Sequence, residues 1–158
     1  MYYEIEKHLP GLMDTIDIYD ENGEVAYQVD SRVVLTNRTM RLFNQGDELI
    51  SVIKREVPSF EPKYKIYIEG QLFGELVKEF TFFEPRVRIL SEYGPIISKG
   101  DLIGLDFQLL DVDGNILASV DDELSEDENT YGVEIDEEAD DEFILSLLMV
   151  IDVLLNDE

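Results

Sequence analysis

The sequence contains no cysteine and a single histidine, His8. Without cysteine there is no disulfide, no thiolate metal site and no cysteine nucleophile. One histidine cannot supply the shared imidazole ligands of a zinc or copper centre, so no such site is expected. The opening residues, Met1-Tyr2-Tyr3-Glu4-Ile5-Glu6, lack the basic and apolar regions of a signal peptide. That absence and the missing cysteines lead to an expected cytoplasmic location. Also missing are a Gly-x-Ser-x-Gly elbow, a phosphate-binding glycine loop and a dinucleotide fingerprint. No cofactor and no enzymatic activity are therefore expected. Carboxylates are so abundant that no glycosidase-like pair stands out.

Positive charge is scarce as well. The chain has 12 Lys/Arg against 37 Asp/Glu, a net charge of −25. All 12 Lys/Arg lie in residues 1–100, beside 17 acids, whereas residues 101–158 hold 20 acids and no Lys or Arg. Such a field repels nucleic acids and anionic membranes and attracts cations or basic partners. A basic protein partner held by the acidic surface of 101–142 is thus the first functional expectation, against the plainer role of a solubilising surface. The stretch Asp121–Glu128 is expected to be a solvated loop. Asp111-Val-Asp-Gly-Asn115 superficially suggests a calcium loop, but with Gly114 at the sixth position the first and twelfth ligand positions fall on Leu109 and Val120. The segment reads as a hairpin turn, and no metal site is expected.

The sequence does contain a repeated unit. Residues 18–29, 42–53, 66–77 and 109–120 each run apolar strand, polar turn with glycine, apolar strand. The turn glycines Gly23, Gly46, Gly70 and Gly114 are spaced by 23, 24 and 44 residues, the last close to two periods. Asn-Gly and Asp-Gly supply the positive φ of tight hairpins. The flanks are rich in Val, Ile, Tyr and Phe, and some alternate strictly, as in Leu105-Asp-Phe-Gln-Leu109. About twelve short antiparallel strands are predicted between Tyr3 and Ile135. A chain of 158 residues suits one domain over 1–158, long enough to bury roughly 70% of its unfolded surface.

The pattern then changes. Residues 143–155 are apolar except Ser146 and Asp152. Thirteen helical residues span roughly 20 Å, short of the about 20 apolar residues a bilayer core demands, so no transmembrane segment is expected. A helix apolar all round must be buried on every side. Asp140, Asp141 and Glu142 suit its N-terminal cap and dipole. Eight strands fill their own barrel, whereas about twelve leave a wider interior, and a can of strands threaded by a helix is an established solution. The expected fold is mainly β: a closed antiparallel barrel of about twelve strands around a buried hydrophobic helix over 141–155.

The units at 18–29 and 42–53 resemble the LURP-one-related family, as do Lys78-Glu-Phe-Thr-Phe-Phe83 and Gly94-Pro-Ile-Ile-Ser-Lys-Gly-Asp-Leu-Ile-Gly-Leu-Asp-Phe107. Asp111–Ala118, Asp127–Ile135 and the helix ending Met149-Val-Ile-Asp152 continue the likeness in the same order. The resemblance implies a tubby-like barrel and, for function, a phosphoinositide- or phospholipid-binding module like the tubby and scramblase relatives. Family members usually carry basic and aromatic residues after the fourth hairpin. Here that stretch is Asp121-Asp-Glu-Leu-Ser-Glu-Asp-Glu128, which speaks against lipid. The candidate ligand-binding residues for the lipid reading are the cations Lys54, Arg55, Lys65, Lys78, Arg86 and Arg88. Ordinary cross-strand charge pairing is the plain alternative for them. Asp152 joins the candidates because an acid on an all-apolar helix must be paired, hydrogen-bonded or neutral.

Overall fold

The computed structural model describes residues 1–7, 13–34, 37–56, 61–79, 86–125 and 127–156. His8 and residues 80–83 of the expected family run lie outside them. Twelve strands follow in chain order: β1 (Tyr2–Glu6), β2 (Met13–Tyr19), β3 (Val25–Val34), β4 (Asn37–Asn44), β5 (Leu49–Arg55), β6 (Lys63–Ile68), β7 (Gln71–Glu79), β8 (Arg86–Ser91), β9 (Gly94–Asp101), β10 (Asp106–Leu110), β11 (Ile116–Asp121) and β12 (Thr130–Ile135). One helix, α1 (Asp141–Asn156), comes after all of them. Each strand pairs with its sequence neighbours, and β12 returns antiparallel to β1, with Tyr3 opposite Val133 and Ile5 opposite Tyr131. The result is the expected closed barrel with the helix inside. Closure leaves no open edge to template aggregation.

Period-two alternation sorts the side chains. Ile18, Val29, Leu42, Ile53, Ile66 and Leu76 point inward and are fully buried, while their polar neighbours face out. They close on α1, whose described side chains from Phe143 to Leu154 are all buried, Asp152 the least so at 9% exposed. Phe143 needs extra room in the wall: a Cβ on Gly74 would lie 2.9 Å from both its ring and the Leu90 carbonyl oxygen. Each helix end receives a side-chain hydrogen bond from its surroundings. The Asp140 Oδ1 accepts from the Phe143 amide at 3.1 Å, the capping bond of the expected kind. The last turn has no basic residue of its own, and Lys78 Nζ on β7 donates to the Leu154 carbonyl at 3.2 Å. A cation there also complements the negative pole of the helix.

The hairpin repeat has a sharper definition than its glycines. In three turns an Asp or Asn side chain accepts from the amides two and four residues on: Asp20 from Asn22 and Glu24, Asn44 from Gly46 and Glu48, Asp111 from Asp113 and Asn115. The positive φ falls three residues after that acceptor, on Gly23, Asp47 and Gly114. Gly46 therefore sits one place too early, and Asp47, at φ 58°, takes the left-handed position in its stead. The β6–β7 turn is of another kind, with Glu69 and Gly70 both at positive φ.

In the stretch expected as a solvated loop, Asp121 caps a short 3-10 turn over Asp122–Leu124, and Lys7 Nζ pairs with Asp122 at 3.0 Å. Leu124 and Tyr2 pack so closely over Gly132 that a Cβ there would meet them at 2.6 and 2.8 Å.

Candidate functional site

The expected cationic site divides between the two faces of the wall. Lys54 and Lys65 face outward, opposite each other on β5 and β6. Arg86 and Arg88 are exposed on β8, opposite Glu79 and Val77 of β7. Strands lie about 4.8 Å apart, which puts Arg88 roughly 10 Å around the wall from β6. Lys65 is held at 3.6 Å by Glu56, which also takes Lys63 at 3.4 Å. The two lysines hold the Glu56 carboxyl below the usual carboxylate range. Lys54 lies over the Tyr67 ring, 5.9 Å from its centroid. Among the described residues, Lys54, Arg86 and Arg88 make no ion pair.

Arg55, Lys78 and Asp152 belong to the other side. Arg55 is in phase with the buried Ser51 and Ile53, and Lys78 reaches the end of α1. Asp152 is buried on α1, and its charge adds to burial in raising the Tyr131 phenol well above its ordinary pKa. The seven candidates therefore do not meet in one place. Arg38 also turns inward, nearly buried, with Nη1 donating to Ser31 Oγ at 2.7 Å. Its phase with Met40 and Leu42 on β4 was the sequence signal for that orientation.

The opposite end of the barrel, where the chain enters α1, is more uniform. It is closed by residues 20–24, 44–48, 69–70, 91–94, 111–115 and 136–142, which together hold fifteen Asp/Glu and no Lys or Arg. The positive pole of the helix points the same way, so part of this charge is favourable. Behind the rim, the Tyr3 hydroxyl donates to Asp141 Oδ2 at 2.8 Å, and the Tyr27 ring sits 6.1 Å from that of Tyr3 with its hydroxyl toward Glu142. Burial, then the neighbouring carboxylates, raise both phenols. Burial likewise raises the Glu142 carboxyl.

This end also opens a cleft of about 950 Å³ between the approach to α1 and the turn joining β10 to β11. Ile96, Phe143 and Ile144 form its buried floor, and Leu117 and the half-exposed Ile116 form one wall. Asp111, Asp136, Glu137, Glu138 and Asp140 ring the mouth. Asp111 is committed to its turn, where bonds from Asn115 hold its carboxyl low, and Asp140 to the helix cap. Asp136 accepts the Glu138 amide. The Glu137 and Glu138 side chains are exposed and make no hydrogen bond or ion pair with a described residue. The arrangement suits a ligand with positive charge around an apolar part. The acidic run 136–142 was visible in the sequence, whereas the apolar floor beneath it was not.

The model of the LURP-one-related family matches residues 1–152 of the chain. The fold is similar to the X-ray structure of a protein from Arabidopsis thaliana, with a TM-score of 0.70 and 12% identity over 98% of this chain and 92% of that one. At that identity the likeness speaks for the fold alone. No curated protein sequence matches the chain. Among the described residues, no helix is long and apolar enough to cross a membrane.

Proposed function

The chain belongs to the LURP-one-related family, and on that premise we propose that it is a non-enzymatic binding module, one domain over 1–158, holding a basic protein partner at the acidic end of its barrel. The observation that carries this reading is the segregation of charge: fifteen acids without a Lys or Arg in the segments that close that end. A field of one sign raises the encounter rate with an oppositely charged partner and rejects nucleic acid. The cleft adds apolar surface to the same place, so the charge has something to deliver a partner to. The absence of cysteine keeps the proposed location cytoplasmic.

The test is a pull-down from native extract with the wild type and a Glu137→Lys/Glu138→Lys variant, at low and high salt. Retained proteins should be basic and released by salt, and the variant should lose them. A retained set indifferent to both changes overturns the reading.

A phospholipid-binding role has one observation in its favour. Lys54, Arg86 and Arg88 are outward-facing and make no ion pair with a described residue. Flotation with phosphoinositide vesicles that is lost in a Lys54→Glu/Arg88→Glu variant would establish it in place of the first reading. Weak or no flotation at physiological salt is expected.

A further inference from the structure

Resting on the basic-partner reading and narrowing it, we propose that the cleft receives a short cationic peptide segment of the partner through one large apolar side chain. That side chain would sit on Ile96, Ile116, Leu117 and Phe143, with flanking Lys or Arg residues over Glu137 and Glu138.

Three observations converge on this occupant. The first is size and shape. At about 950 Å³ the cleft lies at the upper end of the roughly 300–1,000 Å³ typical of ligand pockets, ample for a Leu or Phe side chain and its backbone. The second is the unusual exposure of apolar groups here. Ile116 is 47% exposed, and Tyr93 on the rim and Val112 in the adjoining turn are 62% and 61% exposed. These groups lie among acids that would otherwise keep the surface wet, which is the composition of an anchor pocket within a polar ring.

The third observation is charge complementarity. The charged groups of the mouth are all carboxylates. Its committed carboxylates already serve the turn at Asp111 and the cap at Asp140, leaving Glu137 and Glu138 to meet a partner. An anionic ligand would cross an adverse potential to reach such a mouth, and a neutral one would gain no charge attraction from it. A free polyamine would satisfy the rim and leave the floor empty.

The experiment uses two fluorescent peptides of equal charge, built of Lys and Arg, one with a central Leu and its twin with Gly there. Binding to the full chain is followed by fluorescence anisotropy at low salt. The Leu peptide should bind about tenfold more tightly, the advantage that burying one large aliphatic side chain provides. Ile116→Ser should reduce that advantage to about twofold or less while leaving the Gly peptide's affinity, and the circular dichroism spectrum, as in the wild type. Glu137→Lys/Glu138→Lys should weaken both peptides. A photoreactive leucine at the centre should label residues 111–117 or 139–144, which reads the site without any variant. If the two peptides bind equally and the charge reversal weakens both, the basic-partner reading stands and the anchor cleft is wrong. Label found elsewhere on the barrel would likewise overturn the anchor cleft alone. If neither peptide binds at low salt, both ideas fall.

Discussion

The hydroxyls of Ser51 on β5 and Ser146 on α1 lie 2.7 Å apart, sealed between the barrel wall and the helix. Ser146 also donates to the Glu142 carbonyl at 2.8 Å, which leaves Ser51 as the donor between the two. This polar pair between wall and helix thus fixes the height and rotation of α1. Ser146→Ala strands the Ser51 hydroxyl in an apolar interior and should cost about 1–3 kcal/mol. Ser51→Ala/Ser146→Ala should cost less than the sum of the single changes, a coupling on the order of 1 kcal/mol. Urea unfolding of the four proteins measures it, and strict additivity would show that the two hydroxyls act independently.

The turn glycines are not equivalent. Gly23 and Gly114, at φ 77° and 86°, occupy left-handed positions, so alanine there should cost about 1–2 kcal/mol. Gly46 has no positive φ, and its Cβ would meet the Asn44 side chain at an ordinary 3.5 Å. Gly46→Ala should leave the melting temperature unchanged or raise it slightly. Three thermal melts decide the matter, and equal losses at all three glycines would contradict the turn geometry.

High pH should unfold the protein through its tyrosines. Tyr3, Tyr27 and Tyr131 are all raised, by burial first, and Tyr2 is pushed up to about 12. A raised phenol binds its proton more tightly folded than unfolded. Its contribution is therefore complete below the ordinary value of about 10 and is lost as pH climbs toward the folded value. Melts taken from about pH 9 to about pH 12 should show falling stability, with tyrosinate absorbance from Tyr131 appearing only on unfolding. Tyr131→Phe should move the alkaline midpoint upward. An unmoved midpoint would mean that other groups control it.

Salt should stabilise. Exposed acids repel one another, and ions screen that repulsion beyond roughly 8–10 Å at moderate ionic strength. Sodium chloride should raise the melting temperature, and Glu137→Lys/Glu138→Lys should be the more stable protein at low salt, with the gap closing as salt is added. Calcium chloride at matched ionic strength should add nothing further. A saturable step at low calcium would reveal a specific site and defeat the expectation.

The helix was legible because thirteen residues with two polar positions leave it no solvent face. The barrel was legible because apolar strands and polar turns recur at a near-constant period. What misled was the weight given to glycine. At residues 44–48 the turn is organised by the Asn44 side-chain Oδ1, which accepts from the Gly46 and Glu48 amides, and the left-handed residue falls on Asp47 rather than Gly46. The division of the cations was recoverable: Lys78 is in phase with buried Leu76, and Lys65 out of phase with buried Tyr64 and Ile66. Grouping Lys54, Arg55, Lys65, Lys78, Arg86 and Arg88 as one candidate set concealed it. The cleft was beyond a linear reading, since residues 93–96, 111–117 and 136–144 meet only when β12 delivers the chain to α1.

The order of elements has a consequence for synthesis. Twelve strands precede the helix that fills them, so a growing chain has nothing to bury its apolar strand faces against until Asp141–Asn156 has left the ribosome. At about 5–20 residues per second that interval lasts several seconds or more. Folding here cannot proceed from the N-terminus in step with translation, and a chain that stalls before residue 141 has no core.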